Sequence, residues 1–519
     1  MAICVIFVNN FTFFDGLLLD FTELVSIFAI ENQANNLNIN NKKSVAMKKK
    51  SFISALFMML LCVSQSAFAV TYDFEIGRYQ YKINDDGNTV TLVKYRLEPK
   101  ENSPQNITVS ETVDYNGNNY TVTALGDDVF NYFMNTKTIT LPKTITAIGA
   151  RAFASCEYLT SVNVPDGLTS IGIGAFSDCQ SLRSCELPST ITEIPKSLFQ
   201  GAGLESFTVQ NTVTSIGESA FQYCDLHSVE ISNSVTSIGD NAFCGADLQS
   251  VEIPASVTEL GYAAFKGCSS LKSVVFHNSM KSLSPEIFYE CRGLTSVTLP
   301  STLTELPMGS FGNCVKLEAI EIPASVTSIG GSAFYNCKAL TTINFPDGLT
   351  DIGGRAFYEC YELEKLEFPD ALKTIGDGAF TYCYKFAGEL VFPNSVTTIG
   401  TAAFNNCGIT SVHLGRNVKE IGANAFVQNN AITKVTCTRE RPASIQDNTF
   451  DNSVYSNAQL IIPKGTTSMY IVATGWMKFD KIVESEEENP EPLKGDVNGD
   501  GRVNVSDVSA LVNIILGIE

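Results

Sequence analysis

Between residues 121 and 450 the apolar positions recur in a phrase, not in a single helical or strand period. In Leu317-Glu318-Ala319-Ile320-Glu321-Ile322-Pro323 the first, fourth and sixth places are apolar and flanked by polar residues. The alternation Ile320-Glu321-Ile322 predicts a strand with one buried face, and Pro323 ends it where no ladder donor is needed. Val326 and Ile329 predict a second short extended piece, and Gly330 is expected to permit a sharp bend. Ala333-Phe334 then predicts a helical or 3₁₀ turn whose ring fills the interior. Leu340 restarts the phrase.

The interval between phrases is set by phenylalanine. Phe130, Phe153, Phe176, Phe199, Phe221, Phe243, Phe265, Phe288, Phe311, Phe334, Phe357, Phe380, Phe404, Phe426 and Phe450 follow one another at 22 to 24 residues. A period of that size predicts a solenoid of stacked coils, which grows along one axis around a continuing core. With strands of successive coils about 4.8 Å apart, fifteen coils make a body on the order of 70 Å long. Such a body is more often an extended binding surface than a catalytic pocket.

Three residues after the phenylalanine stands a ladder of cysteines: Cys156, Cys179, Cys224, Cys268, Cys291, Cys314, Cys337, Cys360, Cys383 and Cys407, with Ala202, Ala246 and Asn429 at the same place. Equivalent Cβ atoms in adjacent coils lie near 4.8 Å apart, whereas a disulfide wants about 3.8 Å. Buried thiols that pack and hydrogen-bond within the turn are therefore expected over a covalent framework. Cys185 and Cys437 fall at inward strand places.

The combined phrase Leu-x-x-Val/Ile-x-Ile-Pro-x-x-Val-Thr-x-Ile-Gly-x-x-Ala-Phe-x-x-Cys resembles the BspA-type leucine-rich repeat of surface and secreted proteins of anaerobic bacteria. The resemblance implies a right-handed leucine-rich-repeat solenoid of parallel β-strands, flanked here by β-rich caps. It also implies adhesion to host matrix proteins, host cells or other bacteria, and no catalytic site. Ser197-Leu198-Phe199 and Glu286-Ile287-Phe288 depart from Ala-Phe, and an extra residue between Tyr384 and Phe392 is expected to bulge one strand.

Outward places on the predicted strands form two columns. One is mostly serine: Ser161, Ser184, Ser206, Ser228, Ser250, Ser273, Ser296 and Ser411. The other is acidic and polar, with Asn163, Glu186, Thr208, Glu230, Glu252, Thr298, Glu321, Asn344, Glu367 and His413. A solvated sheet face would look the same. If the face binds, the absence of aromatic rings from these columns favours a polar protein surface over a sugar, with Glu186, Glu230, Glu252, Glu321, Glu367 and His413 as its candidate contacts.

The flanks divide into segments. Met47 opens Lys48-Lys49-Lys50, an apolar run from Phe52 to Val63, and Ala67-Phe68-Ala69, the three parts of a secretory signal at 47–69 cleaved after Ala69. Residues 1–46 read as an upstream extension with Met47 as the true start, and they are too interrupted by Asn, Asp and Glu for a membrane span. Residues 70–120 are expected to form an N-terminal β cap, with turns at Asp85-Asp86-Gly87-Asn88 and Asn116-Gly117-Asn118. Residues 451–483, with Trp476, are expected to close the other end, and 484–494 to be an acidic, proline-bearing linker.

In 495–519, Asp496, Asn498, Asp500, Arg502, Asn504 and Asp507 occupy the ligand places of a twelve-residue calcium loop, with Gly501 at the bend and Arg502 offering its carbonyl. Val508, Leu511, Val512 and Ile515 follow at helical spacing. This loop and helix resemble half of a type I dockerin, which implies Ca²⁺ as cofactor and a cohesin-bearing scaffold as partner. A complete module has two copies and only one is present up to Glu519.

Charge narrows the partners. Fifty-five acidic residues against 35 basic ones leave a net charge of −20. Such a surface repels nucleic acid and anionic lipid and suits secretion, calcium or cationic partners, although acidity also serves solubility alone. Only His227, His277 and His413 are present, each in a different coil, with no nucleophile elbow or phosphate loop. The expectation is an exported, non-catalytic recognition protein that binds a host or bacterial surface protein through its solenoid and docks by a calcium-dependent tail. The alternative is an accessory component of a dockerin-linked polysaccharide-degrading system.

Overall fold

The structure is a computed structural model that describes residues 71–97, 102–277, 280–486 and Leu511. The predicted signal, the upstream extension, most of the acidic linker and the calcium loop lie outside the described residues. After a short antiparallel start, the described chain from Tyr72 onward is a parallel-strand solenoid of about 16 turns with almost no helix. At its start, Phe74–Ile76, Tyr79–Ile83 and Thr89–Tyr95 pair antiparallel, and Asn118–Leu125 then joins Thr89–Tyr95 in parallel. That switch converts a meander into a coil. From there the ladder runs in one direction.

The fifteen phenylalanines form one continuous column. Each of the fourteen successive pairs is stacked, with centroids 5.0 to 5.8 Å apart and ring planes within 23°. All are buried, and the inward Leu, Val and Ile places of the phrase surround them, as Leu317, Ile320 and Ile322 do in their coil. Tyr95 covers the first ring and Trp476 with Phe479 the last, so aromatic surface closes both ends. Trp476 is anchored by its Nε1–H donating to the Ala443 carbonyl at 2.7 Å.

The more continuous ladder is not the one the hydrophobic phrase emphasises. The two-residue piece ending at the Ile before glycine pairs coil to coil from Glu193–Ile194 to Glu259–Leu260 and again from Glu305–Leu306 to Glu420–Ile421. The Val-x-Ile strand pairs in groups, such as Ser250–Ile253 with Ser273–Phe276 and Ser296–Thr298, and is unpaired at 184–187 and 320–322. The extra residue after Tyr384 shifts the register between Gly388 and Glu389, as expected.

Three local expectations are corrected. The Ala-Phe turn is neither helical nor 3₁₀. Arg151 and Ser155 are both left-handed, at φ 51° and 56°, and equivalent places in the other coils repeat this, as with Ser332 and Asn336. Alternating handedness turns the intervening peptide planes along the solenoid axis. Arg151, Phe153 and Ser155 accordingly donate to the carbonyls of Ile173, Ala175 and Ser177 in the next coil at 2.8 to 2.9 Å. Amides spent between coils are unavailable for a helix. At the last coil this direction of donation ends on a side chain, with Gln428 N–H donating to the Asp451 carboxylate at 2.6 Å.

The second correction concerns Gly330, which is not left-handed; the bend falls to Ser332. A Cβ on Gly330 would stand 2.6 Å from the Met308 amide nitrogen, and one on Gly353 2.5 Å from that of Gly331. Glycine is required there for the close approach of neighbouring coils, not for its φ.

The third concerns the thiols. Their main bond runs between coils: Cys337 donates to the Phe311 carbonyl at 3.1 Å and Cys360 to that of Phe334 at 3.2 Å, and the same contact recurs along the ladder, with Cys407 also reaching the Asn405 carbonyl of its own turn at 3.8 Å. Asn429 takes over the role, its Nδ2 donating to the Phe404 carbonyl at 2.8 Å. The thirteen described cysteines are unbridged and buried.

The segment after the repeats continues the parallel ladder as well as covering the last ring. Gln459–Ile462 and Lys481–Glu484 extend the parallel ladder begun by Lys434–Cys437, with short helices at Asn452–Asn457 and Thr467–Tyr470 in the connections. Among the described residues, no helix is long and apolar enough to cross a membrane.

Candidate ligand-binding face

The outward columns stand where the strand period places them, but the ladder distributes them unevenly. Glu186, Glu230, Glu252, Glu321 and Glu367 are exposed, and His413 is half-buried. Ser206 pairs with Ser228, and Thr208 with Glu230, across one strand spacing. Glu321 is three coils beyond Glu252, about 14 Å, and Glu186 is two coils before Glu230. One small ligand group cannot bridge those distances. The acidic column is therefore several places, of which the neighbouring Glu230 and Glu252 make one.

These two carboxylates line a shallow hollow of about 610 Å³ with Ser228, Asn233, Ser250 and His277. It lies where Ser228–Glu230 and Ser250–Ile253 follow one another without the paired register seen on either side. His277 Nε2 lies 3.1 Å from Glu252 Oε2, and Glu230 accepts from Thr208 Oγ1 at 3.3 Å. Two exposed acidic groups one coil apart, with serine hydroxyls beside them, suit a cationic side chain such as lysine or arginine, which both carboxylates can contact by charge-assisted hydrogen bonds. His277 was not among the sequence-level contacts. Its strand holds Phe276 inward and so directs His277 outward, one place beyond the Glu column, a signal present in the alternation.

Some of the other outward residues are less available. Glu367 is ion-paired with Lys365. His413 is held below its ordinary pKa by burial, opposed by Glu389 and reinforced by Lys434, which favours its uncharged form. Asn163 turns its amide back on the ladder, accepting from the Leu141 amide at 2.7 Å and donating to its carbonyl at 2.8 Å. Glu186 and Glu321 make no hydrogen bond or ion pair with any described residue.

The histidines do not assemble a relay. His227 Nε2 lies 3.4 Å from Asp247, and Ser270 donates to the other oxygen of the same carboxylate. The carboxylate thus sits between hydroxyl and imidazole, the reverse of the order in which an imidazole takes the hydroxyl proton. No group of His, Cys, Asp and Glu among the described residues could hold a metal ion. The predicted calcium ligands Asp496, Asn498, Asp500, Arg502, Asn504 and Asp507 lie outside the described residues.

The model of the BspA type leucine rich repeat region matches in overlapping copies over residues 123–246, 192–318, 236–364, 304–433 and 386–473. The chain belongs to the BspA-type leucine-rich repeat family. Among solved structures, this family member is similar to a leucine-rich repeat protein from Bacteroides ovatus at 27% identity, covering 62% of this chain and 95% of that one, with a TM-score of 0.48. A leucine-rich cell surface protein from Faecalibacterium prausnitzii matches at 25% identity over 71% of this chain and 95% of that one, TM-score 0.46. The pneumococcal vaccine antigen PcpA matches at 17% identity over 80% and 98%, TM-score 0.45. No curated protein matches the chain. In this BspA-type repeat protein the stacked phenylalanines, close-approach glycines and donor ladder hold the coils together, and the outward columns are left mostly exposed to solvent.

Proposed function

We propose that this BspA-type repeat protein is an exported, non-catalytic recognition protein that binds a host or bacterial surface protein through its polar strand face. The observation that carries the reading is the juxtaposition of Glu230 and Glu252 in one hollow beside His277. A lysine or arginine of the partner enters there, and the separated Glu186 and Glu321 contact the same partner farther along the solenoid. Binding of this kind falls with ionic strength, because the contacts are exposed ion pairs. The test is adhesion or pull-down with Glu230, Glu252 and Glu321 reversed to lysine together. Retention of full binding by a folded triple variant discards the face.

Export rests on the signal read at 47–69, and amino-terminal sequencing of the secreted protein should begin at Val70. The calcium loop of 496–507, with the helix that follows, is proposed as a tail that docks the protein in a calcium-dependent way. That loop's resemblance to half a dockerin also favours a second reading, an accessory part of a polysaccharide-degrading assembly held by a cohesin-bearing scaffold. Pull-downs with calcium and with chelator separate the two. Recovery of a scaffold only in calcium supports the second reading; recovery of surface proteins without the tail supports the first.

A further inference from the structure

A second surface, away from the serine and glutamate columns, lies on the turns that follow the phenylalanines. Tyr335 and Tyr358 stack across one coil with centroids 5.4 Å apart and planes 13° from parallel. Tyr361 and Tyr384 stack alongside at 5.2 Å. Tyr382 breaks the regular stack at its downstream end, lying 81° to Tyr358 and 44° to Tyr384. Tyr384 is half exposed, at 50%, and the other four rings are partly exposed. Five tyrosines from three successive coils thus form a connected aromatic surface.

Nothing in the scaffold requires them. The core ring of each of these coils is its phenylalanine, and the same turn places elsewhere hold residues such as Gly312 and Val315. The charges around the rings are balanced: Lys338, Arg355 and Lys385 stand against Glu359, Glu362 and Glu364. Lys338 lies 5.3 Å from the Tyr361 ring centre, and Lys385 pairs with Glu362 at 2.5 Å and Glu364 at 3.8 Å. On a chain of net charge −20 this patch is locally neutral. A neutral surface neither attracts nor repels by charge, so it suits an uncharged partner.

We propose that the Tyr335, Tyr358, Tyr361, Tyr382 and Tyr384 surface binds a neutral glycan chain, stacking a sugar ring at the Tyr382–Tyr384 corner. Sugars present a C–H face to an aromatic ring and hydroxyls at their rim, which match a surface made of rings that carry phenolic donors and acceptors. The rings are already held by one another, so little side-chain freedom is lost on binding. This surface is distinct from the strand face and does not depend on it.

The test is affinity electrophoresis of the full chain in gels containing a neutral β-glucan, an α-mannan or a xylan. At least one should retard the protein, and retardation should persist when salt is raised to about 0.5 M, since no ion pair is involved. Tyr382→Ala with Tyr384→Ala should weaken it roughly tenfold, the loss of two ring contacts. Tyr384→Phe, which keeps the ring, should retain most of it, and Glu230→Lys with Glu252→Lys should leave it unchanged. The proposal is overturned if none of the three polysaccharides retards the chain, if the double alanine variant binds as well as the parent while folded, or if only proteins are captured through this surface.

Discussion

Removing one ring from the middle of the phenylalanine column tests the central claim about what holds the coils together. Phe243 is fully buried and stacks on Phe221 and Phe265, each at 5.2 Å with planes 2° apart. Its amide donates to the Ala264 carbonyl at 2.8 Å, and its own carbonyl accepts the Cys268 thiol at 3.1 Å. Phe243→Ala leaves those backbone bonds in place and removes the ring alone. The lost transfer energy of a buried phenylalanine is about 1.5–3 kcal/mol, and the unfilled space adds to it, for a total of about 3–5 kcal/mol. Collapse is limited because the close-approach glycines of neighbouring coils already set the coil spacing. Urea unfolding followed by circular dichroism should show the midpoint fall by that amount divided by m. In a linear array the loss weakens both interfaces of one coil, so a split transition is also expected. A loss below about 1 kcal/mol with a single unchanged transition would refute the idea that the column is the principal cohesive element.

Gly353→Ala should destabilise by several kcal/mol, about 3 or more, because its Cβ would overlap the Gly331 amide, whereas Ser332→Gly should stabilise by up to about 1 kcal/mol by relieving a left-handed serine; thermal melts of the pair check both signs. Asn429→Ala should cost about 1–3 kcal/mol, since the side chain satisfies the Phe404 carbonyl and accepts from the Cys407 amide at 3.1 Å, and denaturant titration measures it. Burial pushes the Cys156, Cys185, Cys224 and Cys437 thiols up to about 12. In the unfolded chain they ionise near 8.5, so the folded state holds more protons between those values and stability falls as pH rises from about 8.5 toward 12. A thiol reagent at pH 8 should react with these four only after unfolding, and prompt labelling of the native protein would contradict the burial. Calorimetry on the full chain should show calcium binding that is lost in Asp496→Ala with Asp500→Ala.

The repeat period, the inward places of the strand and the bulge after Tyr384 were all legible in the sequence, because each depends on residues close together in one phrase. The same is true of Ile320 and Ile322 pointing inward with Glu321 between them. What the phrase could not reveal was where the polar backbone of each turn makes its bonds. Ala-Phe looks helical because a helix would satisfy those amides locally, yet here they reach carbonyls about 22 residues away, and the left-handed residues that permit this are as varied as Arg151, Ala263 and Glu286. Gly330 looked like a bend for the same reason; only the neighbouring coil shows that it makes room for a backbone.

The candidate surfaces divide in the same way. Strand alternation alone determines that Glu230 and Glu252 face outward one coil apart, and that a column of serines runs beside them. That His277 reaches Glu252, that Asn163 is turned back on its own ladder, and that five tyrosines at unequal places in three phrases meet on one turn surface were decided by stacking. Local pattern determines which way a side chain points, because that follows from the backbone of its own segment. Which side chains meet is determined by the rise and register between coils, a property of the assembled solenoid that no single repeat contains.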